Sequence, residues 1–149
     1  MQEGVWQFMP ATAKEYNMEV TSQVDQRYQL DVSTEAACLY LLDAYAKFGN
    51  WTLVAASYNA GMSGVNRVLD AQQVTSYYDA LFNEETARYV FRILALKEIM
   101  KNSAQYGFDI PKHELYISIP TKKVSVDSTI DDIALYAINQ GTNYKTLKL

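Results

Sequence analysis

The side chains best suited to chemistry stand in three separate segments of this sequence. Gln7 and Met9 lie in GVWQFMP, Tyr58 and Asn59 lie in ASYNAG, and Glu85 lies in EETARYV. The amide of Gln7 can both donate and accept hydrogen bonds, and so can that of Asn59. Tyr58 combines a ring face with a hydroxyl, and Met9 offers a flexible apolar wall. Such a set suits the binding of a polar ligand.

Other chemistries lack the side chains they need. His113 is the only histidine and lies in a polar linker, so no motif supplies a partner for a Ser-His-Asp or Cys-His arrangement. The sequence contains no cluster of metal ligands and no phosphate-binding glycine loop, and we expect neither a metal nor another cofactor. Cys38, the only cysteine, falls in the apolar run AACLYLL and is predicted to be a small buried hydrophobe rather than a reactive thiol.

Composition limits the partners of the chain. Its formal net charge of -4 argues against nucleic acid, because that binding depends on a Lys- and Arg-rich surface. A neutral or mixed-charge ligand fits better. No stretch approaches the roughly 18 uninterrupted apolar residues of a membrane span, and the first residues lack the pattern of a signal peptide. We therefore expect no membrane span in this chain.

Helical patterns dominate the first hundred residues. Pro10 suits the first position of a short helix that runs to Tyr16. Ser33 is the predicted N-cap of a core helix that ends at Gly49, since apolar residues recur at three- and four-residue spacing at 37, 41, 44, 45 and 48. Further helices are predicted over residues 51–58, from about residue 65 after interruptions at Gly61 and Gly64, and over residues 84–100.

The sequence changes character after residue 107. Pro111 and Pro120 punctuate a polar segment, in which LYISI and KKVSV have the alternation of short strands. Ser128 or Thr129 is the predicted cap of a helix over residues 130–140, and a second helix is predicted to begin at Asn143. We therefore predict a main domain over residues 1–107, a linker over 108–121 and a small α+β extension over 122–149.

Three segments in this order resemble the signatures of family 1 lytic transglycosylases, in particular the membrane-bound D type. GVWQFMPATA (4–13) is similar to Gly-Leu-Trp-Gln-Phe-Met-Pro-x-Thr, and ASYNAG with Gly64 and Val65 is similar to Ala-Tyr-Asn-Ala-Gly-x-Gly-x-Val. Glu85-Thr86 with Tyr89-Val90 resembles Glu-Thr-x-x-Tyr-Val, and FGNW (48–51) resembles Phe-Gly-Asp-Trp. The resemblance covers about residues 4–106. The tail from Lys122 resembles the start of a LysM-type glycan-binding module, with a simple helical extension as the alternative.

The resemblance implies a mainly α, lysozyme-like domain with a groove for alternating N-acetylglucosamine and N-acetylmuramic acid. The implied reaction cleaves the glycan without water and leaves a 1,6-anhydro ring. One glutamic acid would first protonate the glycosidic oxygen and then accept the proton of the C6 hydroxyl, which requires a raised pKa. The resemblance puts that glutamate on a helix upstream of Met1, so the chain is expected to lack the acid-bearing helix and to be inactive alone. Glu3 is not accepted as its substitute.

The resemblance also implies that Gln7, Met9, Tyr58, Asn59 and Glu85 bind substrate. Each position has a structural alternative. Asn59 either contacts ligand or shapes the turn before residue 61, and Glu85 either faces the groove or pairs with the arginine three residues on. The residues at 6, 8 and 9 either line the groove or belong to the core.

Three interpretations of the whole follow. The parent protein is a peptidoglycan lytic transglycosylase of the bacterial periplasm or cell envelope, with a goose-type lysozyme-like hydrolase as the alternative. The chain by itself is a non-catalytic fragment that binds peptidoglycan glycan strands. Without the acid-bearing helix, it also exposes apolar surface that favours self-association.

Overall fold

Helices account for the regular structure in the part of the chain that the computed structural model describes, residues 1–117 and 120–148. The chain divides into two units, Met1–Asp109 and Ile110–Leu149. The first unit contains the helices α1 (Pro10–Glu15), α2 (Leu30–Phe48), α3 (Trp51–Ala60), α4 (Met62–Gln72) and α5 (Glu84–Lys101). Pairing of extended backbone is limited, within these residues, to isolated bridges between Glu3 and Phe8 and between Val20 and Asp25. The predicted mainly α fold is confirmed.

The helix termini of α1 and α2 agree with the sequence predictions except at the N-terminus of α2. Pro10 occupies the first turn of α1, as predicted. Gly49 ends α2 in the left-handed conformation with φ 70°, also as predicted. Ser33, however, is not the N-cap, because α2 begins at Leu30 with Gln29 as its cap. The Ser33 hydroxyl instead donates to the Gln29 carbonyl at 2.8 Å, and this local bond lets a serine stay inside the helix.

A single glycine joins α3 to α4. Gly61, with φ 75°, ends one helix and stands directly before the next, so no loop separates them. The predicted interruption at Gly64 is wrong, since this residue lies inside α4. The side-chain oxygens of Asn50 and Asn83 cap α3 and α5, each by accepting a bond of 2.9 Å from a backbone N–H three residues on.

The core of the first unit has two main clusters and a third between them. One joins α3, α4 and α5 through Leu53, Ala56, Val65, Leu69, Tyr77, Phe82 and Val90. Another joins the N-terminal loop, α1 and α2 through Phe8, Ala13, Met18, Ala36 and Ala37. Tyr40, Ala44 and Val54 form the third cluster, at the α2–α3 contact. The core face of α2 is thus confirmed at Ala37 and Ala44, but Tyr45 is 40% exposed.

Cys38 corrects another prediction, because its side chain is exposed. The apolar run AACLYLL does not bury all of its members, since a helix turns by about 100° per residue and only one side of α2 faces the core. Residues 36 and 37 point into that core, and position 38 has turned out of it.

The second unit contains α6 (Ile133–Asn139) and α7 (Tyr144–Lys148). Asp132 caps α6 by accepting a 2.9 Å bond from the Leu135 amide, so the predicted cap at Ser128 or Thr129 and the start at residue 130 are wrong. The final helix was predicted to begin at Asn143 but begins one residue later, and Asn143 caps it by accepting a 3.0 Å bond from the Thr146 amide.

The strands predicted for the second unit are not found in the residues that the structure describes. Residues 122–126 and 115–117 are irregular, and Ser118 and Ile119 lie outside the described residues. A lone alternating segment is not stable as a strand unless a partner strand receives its backbone hydrogen bonds. As far as it is described, the extension is therefore helical rather than α+β.

Candidate functional site

The loop over residues 3–8 depends on two residues with a left-handed backbone. Gly4 has φ 74° and Gln7 has φ 53°. The amide of Gln7 donates to the Gly4 carbonyl at 3.2 Å, and its side-chain Nε2 donates to the same oxygen at 2.7 Å. A Cβ on Gly4 would lie only 2.0 Å from the backbone oxygen of Arg27. Residue 4 must therefore be glycine for the loop to lie this close to the chain at residue 27.

The side chain of Arg27 forms hydrogen bonds with the backbone at both ends of this loop. Its Nη1 donates to the carbonyls of Met1 at 2.7 Å and Phe8 at 3.0 Å. Its Nε and Nη2 donate to the Asp25 carboxylate at 2.9 and 2.6 Å. Arg27 is 6% exposed, and its hydrogen bonds to the Asp25 carboxylate lower the pKa of that carboxyl group. The sequence did not predict a role for Arg27, because Asp-Gln-Arg in the mostly polar stretch TSQVDQRYQ looks the same as a solvated charged turn.

Tyr58 ties the loop to α3. Its hydroxyl donates to the Trp6 carbonyl at 2.7 Å, although 52 positions separate the two residues. Its ring meets those of Trp6, Phe8 and Tyr40 edge-on, at centroid distances of 6.2, 6.3 and 5.4 Å. Burial raises the pKa of the Tyr58 hydroxyl, which therefore stays protonated as a hydrogen-bond donor. The Trp6 indole also donates to Thr34 at 2.8 Å and so fixes the loop against α2.

A groove of about 590 Å³ opens beside this loop. Four of the predicted site residues line it together: Gln7, Tyr58, Asn59 and Glu85. The remaining wall is mostly apolar and aromatic, and includes Val5, Trp6, Leu41, Trp51, Val54, Ala55, Tyr89 and Ile93. Residues far apart in the sequence are thus brought to one cavity with mixed polar and apolar walls.

Met9 lines a second, smaller cavity of about 280 Å³ next to the groove. Gln7, Tyr58 and Asn59 line both cavities, so the two share a wall. Met9 is 48% exposed and its side chain is available to a ligand. All five residues predicted from the sequence therefore surround one continuous region, while their individual roles stay predictions.

Phe8 and Trp6, which were each predicted either to line the groove or to belong to the core, differ in their surroundings. Phe8 is 4% exposed and belongs to the core cluster with Ala13 and Met18. Trp6 is half-buried and lines both cavities. The first is therefore a packing residue, and the second combines packing with a groove wall.

The contacts of Asn59 and Glu85 bear on the structural alternatives given for these two polar residues. Asn59 lies in the last turn of α3 rather than in a loop, and its Oδ1 accepts a 2.8 Å hydrogen bond from Thr86. Arg88 forms its ion pair with Glu84 at 2.9 Å, not with Glu85. Glu85 forms no salt bridge with any described residue. Its carboxylate is exposed and lines the groove.

Acidic groups at the site are few. Glu85 is the only Asp or Glu among the described residues that line either cavity. The Glu3 carboxylate accepts a 2.7 Å bond from the Tyr28 hydroxyl and lines neither cavity. No grouping of His, Cys, Asp or Glu suited to a metal ion occurs in the described part of the chain.

Two aromatic residues of the groove, Trp51 and Tyr89, were not among the site residues predicted from the sequence. Trp51 stacks on Tyr45 at a centroid distance of 4.6 Å and an interplanar angle of 29°, and its side chain is 58% exposed. Tyr89 lies one helical turn after Glu85, and burial raises its pKa. The FGNW and EETARYV segments that contain them were recognised, but segment matching alone does not tell a groove residue from a packing residue.

Comparison with known proteins assigns this architecture to a family. Residues 2–80 match the family model described as the transglycosylase SLT domain. The chain belongs to that family. The SLT match contains Gln7, Met9, Tyr58 and Asn59, and Glu85 lies just beyond its end. Residues 122–149 match the model of the soluble lytic transglycosylase C-terminal LysM-like domain, as the sequence of the tail predicted.

Curated relatives agree with the SLT assignment. The chain is 30% identical, over 158 aligned residues, to the membrane-bound lytic murein transglycosylase D of Escherichia coli (strain K12). The protein of the same name from Escherichia coli O6:H1 (strain CFT073) matches equally well. Each match covers 97% of this chain but 35% of the relative, so the chain spans about a third of the length of these proteins. In the part of the chain that is described, no helix is long and apolar enough to cross a membrane.

Proposed function

We propose that the protein is a peptidoglycan lytic transglycosylase of the bacterial cell envelope or periplasm. It would cleave the β-1,4 bond between N-acetylmuramic acid and N-acetylglucosamine without water and leave a 1,6-anhydromuramoyl end. The observation that carries this proposal is the convergence of Gln7, Tyr58, Asn59 and Glu85 on one groove of an SLT domain. The names of the two Escherichia coli relatives support the same activity.

Existing hydrogen bonds determine which atoms remain for a sugar. The Nε2 of Gln7 is engaged with the Gly4 carbonyl, so its Oε1 is the group available to an acetamide N–H. The Oδ1 of Asn59 is engaged with Thr86, so its Nδ2 is the available donor. Glu85 adds a carboxylate that can accept from sugar hydroxyls. The groove thus offers both donors and acceptors, as an uncharged carbohydrate requires.

Aromatic side chains supply the other half of a carbohydrate site. Sugar rings present C–H faces that pack on aromatic rings, and the exposed face of Trp51 lies on the groove. The stacked ring of Tyr45 holds Trp51 in one orientation. Tyr89 and Trp6 extend this apolar wall on α5 and on the N-terminal loop.

The chemistry needs one carboxyl group that works first as acid and then as base. A general acid of this kind requires an apolar, partly dry surrounding. Glu85 is exposed to solvent, so we assign it to binding rather than to proton transfer. On this proposal, residues 1–149 by themselves bind glycan strands without turning them over.

Digestion of purified sacculi tests the activity. The full-length gene product should release muropeptides with 1,6-anhydro ends, measured by mass spectrometry. Reducing ends would instead indicate a hydrolase of the goose-lysozyme kind, and no release at all would contradict enzymatic activity. The 149-residue chain should sediment with sacculi and release nothing. Turnover by this chain alone would contradict its assignment as a binding fragment.

A side-chain deletion tests the groove as the place of binding. Gln7→Gly removes the amide and keeps a residue that tolerates φ 53°. We expect about fivefold to tenfold weaker binding to sacculi, which corresponds to one lost hydrogen bond of about 1 kcal/mol. Gln23→Gly removes an exposed amide from another loop and should leave binding unchanged. Equal affinities of the two variants would contradict the assignment.

A further inference from the structure

A further recess, distinct from the groove and from the cavity at Met9, lies at the beginning of α5 and adjoins the groove. It has a volume of about 460 Å³ and is lined by Asn83, Glu84, Glu85, Arg88 and Arg92. Glu85 lines the groove as well. A ligand that extends along the groove past Glu85 therefore reaches the two arginines without leaving the surface of α5.

Helix geometry places both arginines beside the groove. Glu85 and Tyr89, which line it, are four residues apart on α5, and so are Arg88 and Arg92. Residues at this spacing share one face of a helix. Arg92 follows Glu85 by seven residues, which is about two turns, so it returns to nearly the same angular position about 10 Å further along the axis.

The charges in the recess leave one cation available. Arg88 pairs with Glu84 at 2.9 Å, and both side chains are mostly exposed, at 64% and 75%. Such an exposed pair contributes little free energy and exchanges easily for another partner. Arg92 is exposed and forms no salt bridge with any residue that the structure describes. An unpaired guanidinium beside a carbohydrate groove, in a chain of net charge -4, favours an anionic group on the ligand.

We propose that Arg92, assisted by Arg88, binds carboxylate groups of the peptide stems that peptidoglycan carries on its muramic acid residues. This inference rests on the proposed function, because it requires the glycan strand to occupy the groove. A guanidinium forms two parallel hydrogen bonds with a carboxylate, a geometry that neither a sugar hydroxyl nor an amide can match. Glu85 then faces neutral donors of the glycan, and Arg92 faces an anion about two turns away.

Three forms of the same polymer test the proposal with the 149-residue chain. The first is native sacculi, and the second is sacculi whose carboxylates have been converted to amides with carbodiimide and ammonia. The third has been treated with an amidase that removes the peptide stems and leaves the lactyl carboxylate on the muramic acid. We expect the chain to bind the native polymer about threefold to fivefold more tightly than either treated form, as for one exposed ion pair.

Variants assign that preference to a side chain. Arg92→Gln should bind all three polymers with the affinity that the unaltered chain has for the amidated form, and Arg88→Gln should lose part of the preference. Arg67→Gln makes the same change of charge at an exposed position on α4, outside both the groove and this recess, and should keep the preference.

Two results would overturn the assignment. One is an unchanged preference in Arg92→Gln, and the other is equal binding of native and stem-free polymer, which would show that the stem carboxylates are not the groups that Arg92 binds. Failure of the unaltered chain to bind any of the three polymers would contradict the proposed function itself. The two failures are therefore distinguishable.

Discussion

Replacing Arg27 with methionine should weaken the first unit more than any exposed substitution does. Methionine fills a similar volume but removes the guanidinium donors of the Phe8 carbonyl and of the Asp25 carboxylate. Removing one partner of a buried ion pair costs about 3–5 kcal/mol. The Asp25 side chain is 23% exposed and can be partly hydrated, so we expect the lower end, about 3 kcal/mol.

Urea denaturation followed by tryptophan fluorescence measures this loss. Both tryptophans, Trp6 and Trp51, belong to the unit Met1–Asp109, so the signal reports that unit and not the C-terminal one. With a denaturant slope of about 2 kcal/mol/M, a loss of 3 kcal/mol moves the midpoint down by about 1.5 M. The indole of Trp6 lies in the loop that Arg27 holds, so its native emission should also change.

Two further variants separate the cause from a simple change of charge. Arg27→Lys keeps the positive charge but not the fork of donors, and should recover about half of the lost stability. Arg67→Met removes an exposed arginine from α4 and should stay within about 0.5 kcal/mol of the unaltered chain. The reasoning fails if Arg27→Met also stays within about 0.5 kcal/mol.

Three other features lead to shorter predictions. Gly4→Ala would place a Cβ 2.0 Å from the carbonyl oxygen of Arg27 and should lower the free energy of unfolding by about 2 kcal/mol or more. Gly64→Ala lies inside α4, where the added Cβ has its nearest neighbour at 3.8 Å, and should raise the free energy of unfolding by about 0.5–1 kcal/mol. Thermal melts of the two variants should therefore shift in opposite directions. The pKa of Asp25 is lowered in the folded state, so its stabilising contribution is present above about pH 4 and is lost as the pH falls through the folded-state pKa. Urea midpoints should therefore fall more steeply from about pH 6 to about pH 3 in the unaltered chain than in Asp25→Asn. Exposed apolar side chains on α2, such as Leu42 at 59%, should favour self-association at high concentration, and sedimentation that shows a strict monomer throughout would contradict this.

Features that depend on local chemistry could be predicted from the sequence. Gly49 ends α2 because only a residue free to adopt φ 70° can do so easily, and Pro10 begins α1 because its missing N–H is not needed there. The segments around Gln7 and Tyr58 were recognised as parts of one site although nothing in a linear pattern states that they meet. There the resemblance to a family supplied the tertiary information that periodicity lacks.

Features that depend on tertiary contacts could not be predicted. Nothing in the neighbourhood of Arg27 shows that its guanidinium will be buried under a loop 19 residues away. The exposure of Cys38 depends on which side of α2 meets its neighbours, and an apolar run hides that choice. Ser33 resembles a cap in sequence, yet its hydroxyl satisfies a carbonyl of the preceding turn equally well inside a helix.

The bond from the Tyr58 hydroxyl to the Trp6 carbonyl also bears on how the chain folds. The helices α3, α4 and α5 are consecutive, whereas this bond closes a loop of 52 residues, and closing a longer loop costs more chain entropy. The helical cluster can therefore form early from contacts between neighbouring elements, and the groove wall is completed only when the N-terminal loop docks. We therefore expect ligand recognition to be acquired late in folding and to be lost when the loop detaches.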